Sequence, residues 1–275
     1  MERIKQALDK IRQFEKGSVP VALERMPESL PLQVSALENI NYTHSRVVEL
    51  DPAHLEKHRV VMAYNKGDPV ASSFDLLRTQ VLRRMKENKW RTLAITSPTP
   101  GAGKTVVAIN LAISIAQHTE TSALLVDFDL RRPKVGTYLG ITSGKSLNEL
   151  LTNEASLPEV LVNPGIPRLL VLPTHRPVLK SSEQLTSRRV IELVAELRSR
   201  YDSRVVIFDL PPILSADDAI AILPQIDCYL LVVADGWDNK LDIEESMNLM
   251  QRANLLGTVL NKADVPINPY GYPYY

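Results

Sequence analysis

Residues 91–110, RTLAITSPTPGAGKTVVAIN, place an apolar run, a Pro/Gly-punctuated loop ending Gly103-Lys104-Thr105 and a helical pattern in direct succession. A strand, a loop and a helix N-terminus in that order make a cradle for a nucleoside triphosphate. Backbone N–H groups of a Gly-rich loop can converge on phosphate oxygens because no Cβ blocks their approach. The helix dipole adds positive potential at the same point. In such a loop Lys104 bridges the outer phosphates and the Thr105 hydroxyl ligates Mg²⁺. The Gly-Lys-Thr triplet alone recurs by chance on lysine-bearing surfaces. The strand before it and VVAINLAISIA after it make chance the poor explanation.

Two more segments turn the motif into a site. LLVDFDLRRP (124–133) and VVIFDLPPIL (205–214) are short apolar runs that end on carboxylates. Continuous apolar runs read as buried parallel strands, and ligands of open α/β sheets bind at the carboxyl ends of strands. Asp127, Asp129 and Asp209 are therefore expected on the same rim as the phosphate loop. A single strand-end Asp is more often a helix cap or a turn former. Three of them on two strands beside such a loop point to Mg²⁺ and phosphoryl chemistry.

Composition narrows the class. Lys+Arg and Asp+Glu are 32 each in 275 residues, so no global attraction to nucleic acid or to an anionic membrane is implied. The one cysteine, Cys228, lies in the apolar run CYLLVVA and reads as a small buried hydrophobe. VVAINLAISIAQ, the longest uncharged stretch, is too short to span a bilayer. With no signal peptide visible, the expected location is the cytoplasm.

The chain divides unevenly. Residues 1–16 carry Met1, Ile4, Leu8, Ile11 and Phe14 at helical spacing, an amphipathic N-terminal helix that Gly17 stops. Residues 17–68 hold Pro20, Pro27, Pro31 and Pro52 with little periodicity and read as an irregular extension or linker. Asp68-Pro69 makes an N-cap and N1 pair that starts the globular part, 69–264. The helix after it presents Val70, Phe74, Leu77, Val81 and Met85 on one face. Strands are expected near 91–96, 123–128, 168–172, 204–209, 228–234 and 255–261, and helices over 104–117, 146–152, 186–200 and 241–253. This alternation predicts an α/β fold, a mostly parallel central sheet with helices on both faces.

The tail, 265–275, is the second unusual feature. Tyr270, Tyr272, Tyr274 and Tyr275 fall in its last six residues, among Pro266, Pro269 and Pro273. The prolines exclude a helix or a central strand. Aromatic residues at a chain end commonly pack onto the domain surface. On a mobile end they are instead accessible hydroxyls, and beside a Mg-nucleotide site an accessible phenol is a phosphoryl acceptor.

SPTPGAGKT, LLVDFDLRRP and VVIFDLPP, followed by a tyrosine-rich end, resemble the bacterial tyrosine autokinases (BY-kinases) of capsule and exopolysaccharide biosynthesis, of the cytoplasmic CpsD/CapB type. SSEQLTSRRVIELVAELRSRYDSRVVIFDLPP adds to the match, which covers about residues 70–264. MERIKQALDKIRQ and the short tail also look like the subgroup found at exosortase-linked loci. The resemblance implies a three-layer P-loop NTPase fold related to the MinD and ParA ATPases. It implies ATP-dependent autophosphorylation of the tyrosine cluster, and regulation of polysaccharide synthesis and export. By the same resemblance, Pro100, Gly101, Ala102, Gly103, Lys104, Thr105 and Val106 wrap the phosphates. Thr105, Asp129 and Asp209 serve the metal, and Asp127 accepts or steers the tyrosine proton. Asn261 lies where similar proteins contact the purine. Arg131 and Arg132 fit phosphate neutralisation and solvent-facing structural roles equally.

The chain also departs from the pattern. The ring-forming Glu-x-x-Arg-x-x-Arg of similar kinases reads Ser72, Asp75 and Arg78 here, which puts that self-association in doubt. Pro98 replaces the first loop glycine. Thr99 and Pro100, by contrast, favour the kinase branch, since the ATPase relatives usually carry a signature Lys and then Gly there. Asn261-Lys262-Ala263-Asp264 matches the guanine-reading pattern of GTPases, so GTP stays open beside ATP. The expected partner is a membrane-embedded chain-length or export protein (Wzz- or CapA-like) that recruits the enzyme to the plasma membrane. A MinD/ParA-like ATPase switch and a nucleotide-binding scaffold without kinase activity are the alternatives.

Overall fold

The structure is a computed structural model, and it describes residues 46–65, 68–118, 120–200 and 203–263. The expected helix over 1–16 and the tyrosine tail lie outside the described residues. Eight strands form one sheet: β1 (Arg46–Val47), β2 (Thr92–Thr96), β3 (Ser122–Asp127), β4 (Val162–Asn163), β5 (Leu169–Leu172), β6 (Arg204–Asp209), β7 (Cys228–Ala234) and β8 (Leu255–Asn261). Their order is β1-β4-β5-β3-β6-β2-β7-β8. All neighbours are parallel except β4 and β5.

Parallel pairing with helical crossovers buries both faces of the sheet, and alternate strand residues feed two cores. Leu93, Ile95, Leu125, Ile207 and Leu230 point to one core. Ala94, Leu124, Val126, Phe208 and Leu231 point to the other. Among the described residues, eleven α-helices connect and cover the strands. In chain order the first seven are α1 (Pro52–Lys57), α2 (Val61–Tyr64), α3 (Pro69–Asn88), α4 (Lys104–Gln117), α5 (Val135–Leu139), α6 (Leu147–Leu151) and α7 (Leu157–Val160). The remaining four are α8 (Ser181–Leu185), α9 (Arg188–Ser199), α10 (Asp218–Ile222) and α11 (Lys240–Leu249). Helices α3 and α4 cover the first core, and α6, α9 and α10 cover the second.

The strand and helix expectations match these elements closely, and the differences have local causes. Asp68 caps α3 as expected, its carboxylate accepting from Val70 N at 2.8 Å. Val70 itself is 40 % exposed, however, because the first turn projects beyond the core and Ala71 is buried in its place. Helix α11 stops at Leu249. Asn254 then bonds the Asp227 carbonyl at 2.8 Å, turning the chain into β8.

Residues 46–65, expected to be irregular, form β1, α1 and α2 and bury Leu55, Val60, Val61 and Met62. Their order comes from a distant side chain. Buried Asn110 of α4 accepts from Met62 N (3.0 Å) and donates to the Arg59 carbonyl (3.0 Å). Gln117 donates to the Met62 carbonyl (2.9 Å). These bonds replace the local periodicity that the segment lacks. They also fasten it to the helix that follows the phosphate loop.

Candidate active site

Strand β2 ends at Thr96 and the loop 97–103 leads into α4. Gly103 holds φ +93°, a left-handed conformation that glycine adopts without strain. A Cβ there would collide with Asn261 Nδ2, so a larger residue would have to displace that amide. Asn261, at the end of β8, donates from Nδ2 to the Ala102 carbonyl at 2.7 Å. It therefore fixes the loop as well as lying at the expected purine-contact position. The amides of Thr105 and Val106 open α4, where the helix dipole favours an anion.

The three carboxylates gather on the flank of the loop formed by β6 and β3. Asp127 and Asp209 are register neighbours, and Asp209 also pairs with Ile95 of β2. Lys104 Nζ lies 2.8 Å from Asp129 Oδ2 and 3.4 Å from Asp209 Oδ1. The Thr105 hydroxyl donates to Asp209 Oδ2 at 2.7 Å. All four of these side chains are buried. Burial pulls the Lys104 ammonium toward neutrality, yet Asp209 and Asp129 outweigh it and hold the pKa above the ordinary lysine value. Burial raises Asp209, while Lys104 and the Thr105 hydrogen bond counteract part of the rise.

Asp127 differs from its neighbour. Its Oδ2 accepts from Lys134 N (3.1 Å) and Val135 N (3.0 Å), capping α5. Its Oδ1 is buried without a partner. Burial, and next the negative charge of Asp209, push its pKa well above the usual carboxylate range. The capping role weighed for a strand-end Asp thus falls on Oδ2 alone, and Oδ1 is left without a partner.

Of the two arginines after the second motif, Arg131 serves the structure. Its guanidinium bonds Asp218 (2.9 Å), Asp217 (3.0 Å) and Ser181 (3.0 Å), tying the loop to α8 and α10. Arg132 contributes its backbone N–H to Asp129 Oδ1 at 3.0 Å.

The other flank of the loop holds residues that sequence reasoning missed. Asp238 accepts from the Thr99 hydroxyl, and its second oxygen accepts from Ala234 N at 2.7 Å. Trp237 Nε1 donates to the Pro100 carbonyl at 3.2 Å. Gly236-Trp237-Asp238-Asn239 reads locally as a turn, and nothing in it signals a partner at Thr99. Asn110 did leave a signal, a lone amide inside the apolar run VVAINLAISIA. No cluster of three His, Cys, Asp or Glu side chains able to hold a metal occurs among the described residues. The donor set fits Mg²⁺ in another way. Thr105 and Asp209 supply one hydroxyl and one carboxylate side by side, and such sites take their other ligands from phosphates and water.

An AAA domain profile matches residues 90–236. The tyrosine-protein kinase CpsD of Streptococcus pneumoniae serotype 4 is 31% identical over 191 residues, 68% of this chain and 83% of its own length. The putative tyrosine-protein kinase EpsB of Ralstonia nicotianae is 31% identical over 74% of this chain, and the chain spans 27% of the length of that relative. The crystal structure of the chimerical protein CapA2B2 superimposes with a TM-score of 0.69 at 26% identity, over 81% of this chain and 96% of that one. The septum site-determining protein MinD of Pyrococcus horikoshii shares the fold alone, at 22% identity and a TM-score of 0.51, over 64% of this chain and 74% of that one.

Proposed function

Since the chain belongs to the bacterial tyrosine-protein kinase family, built on an AAA-type P-loop domain, we propose that it transfers the γ-phosphoryl group of ATP to tyrosine hydroxyls. Its own Tyr270, Tyr272, Tyr274 and Tyr275 are the proposed acceptors, and the biological setting is exopolysaccharide or capsule synthesis and export. The observation that carries this reading is the placement of Lys104 between Asp129 and Asp209, beside the unpartnered Asp127 Oδ1.

The phosphoryl transition state is loose, so positioning and charge neutralisation outweigh base strength. The amides of residues 101–106 and the Lys104 ammonium take the negative charge of the phosphates. Thr105, Asp209 and Asp129 would hold Mg²⁺, which would neutralise charge on the terminal phosphates. The bond between the γ-phosphorus and its bridging oxygen breaks as the tyrosine oxygen bonds to phosphorus. The phenolic proton passes to Asp127 Oδ1, and ADP leaves.

One observation favours this reading over an ATPase switch. Thr99 stands at the position where the switch ATPases usually carry a signature lysine, and its hydroxyl is bound to Asp238 of the same chain. Asp75 and Arg78, at the ring-motif positions, bond each other at 2.7 Å and both bond Ser114 of α4. We therefore propose that any self-association relies on other residues. Transfer between copies is the favoured route, because a tail leaving the β8 rim reaches a neighbouring site without the tight reversal that Pro269 and Pro273 oppose.

No described helix is long and apolar enough to cross a membrane. Recruitment through residues 1–16 to a membrane-embedded chain-length or export protein of the CapA kind completes the proposal.

The protein incubated with γ-labelled ATP and Mg²⁺ tests the reading. A kinase places label on protein tyrosine, and a Lys104→Met protein with an intact tail, mixed with an active copy truncated after Asp264, should also gain it. Release of all the label as free phosphate would instead establish the switch.

A further inference from the structure

We propose that Trp237, steadied by Lys262, is the platform on which the nucleobase of the bound triphosphate stacks. The inference rests on the nucleotide reading above and names residues for the opposite end of that ligand.

Strand order orients the substrate. The phosphate loop leaves β2, which lies between β6 and β7. Lys104, Thr105 and the carboxylates of β6 and β3 mark the flank that receives the terminal phosphates. The nucleoside then runs toward the other flank, over the ends of β7 and β8. Trp237 stands in the turn that follows β7, and Asn261 and Lys262 stand at the end of β8.

Trp237 is 65 % exposed. A tryptophan that served packing alone would be mostly buried. Exposure here comes with fixation. The indole edge is pinned to the loop through Nε1 and the Pro100 carbonyl at 3.2 Å. The next residue, Asp238, locks the turn through Thr99 and Ala234 N. Lys262 Nζ stands 5.8 Å from the ring centroid, within cation–π range. An exposed ring held at its Nε1 edge and under Lys262, in a turn that Asp238 locks, is preorganised, and binding to it orders few new groups. Its π-face suits a flat heteroaromatic ligand of any base identity. Trp237 is therefore expected to strengthen ATP and GTP binding alike, leaving discrimination between them to Asn261.

The test compares full-length wild type, Trp237→Ala and Trp237→Phe for binding of Mg-ATP and of Mg-tripolyphosphate, which has the phosphates and no base. Because Trp237→Ala also removes the bond to the Pro100 carbonyl, it should weaken ATP binding by roughly ten-fold more than tripolyphosphate binding, the scale of one base–aromatic stack. Trp237→Phe should recover most of the ATP affinity, which also shows that the site remains folded. Equal weakening of both ligands would overturn the proposal, since Trp237 would then only brace the phosphate loop. Unchanged ATP binding in Trp237→Ala would overturn it as well. Wild type that binds neither ligand would instead refute the nucleotide reading beneath it.

Discussion

The two flanks of the phosphate loop are built from different materials. On the β6–β3 side, one buried ammonium and three buried carboxylates crowd together, and one of their oxygens is left unpartnered. On the β7–β8 side, the Asp238 carboxylate, the Asn261 amide and the exposed Trp237 indole brace the same loop through single hydrogen bonds. Buried like charges destabilise a fold, and such strain concentrates where chemistry needs it. Hydrogen-bonded braces carry no such penalty. On the proposed function, the first flank serves the reaction and the second holds the loop. Substitutions should separate accordingly, the first kind affecting transfer more than folding and the second affecting affinity.

The largest effect is expected at Lys104. Lys104→Met keeps the methylene stem and removes the charge, so phosphoryl transfer should fall by roughly three orders of magnitude, measured by label on tyrosine. Its circular dichroism should match wild type. A loss of fold along with activity would erase the distinction between the flanks.

Asp127→Asn should separate function from stability most clearly. Transfer should fall by about a hundred-fold or more, while nucleotide binding, read by calorimetry, is largely kept. The sign of the stability change follows from the raised pKa. The folded state binds this proton more tightly than the unfolded state, so stability falls as pH rises from the ordinary carboxylate value of about 3.9 to the raised one. The cost persists at neutral pH. Asp127→Asn should therefore raise Tm at pH 7, by about 2–4 °C for each kcal/mol relieved, and gain nothing near pH 3. A lower Tm at pH 7 would make Asp127 a structural cap.

Asn110→Ala addresses a third region. It leaves Met62 N and the Arg59 carbonyl without partners, at a cost of about 2–3 kcal/mol. Amide exchange should quicken in 59–65 before it does in β2 and β6. Uniform quickening would mean that this segment is not a separate cooperative unit.

The smallest effect is expected at His175, whose pKa is lowered chiefly by burial. Here the unfolded state binds the proton more readily, so stability is lost as pH falls through about 6.5. His175→Asn should flatten that part of the Tm–pH curve slightly.

How much of this was legible in the sequence differs by region. The phosphate loop, Asp127, Asp129 and Asp209 could be read because each sits at the end of an apolar strand and the sheet brings strand ends together. The alternation of strands and helices gave the α/β architecture for the same reason. Residues 46–65 could not be read, because their order depends on Asn110 and Gln117, about fifty residues away along the chain. The bond between Thr99 and Asp238 spans 139 residues and has no local trace. Asp127 was legible as a strand-end carboxylate but not as the cap of α5, which depends on the backbone seven and eight residues further on.

The most direct measurement is a phosphopeptide mass spectrum of the C-terminal segment after incubation with ATP and Mg²⁺, for wild type and for Lys104→Met prepared free of other kinases. The account predicts phosphate on one or more of Tyr270, Tyr272, Tyr274 and Tyr275 in wild type and none in the variant. Phosphate of equal amount in both, or in neither while ATP is hydrolysed, would contradict it.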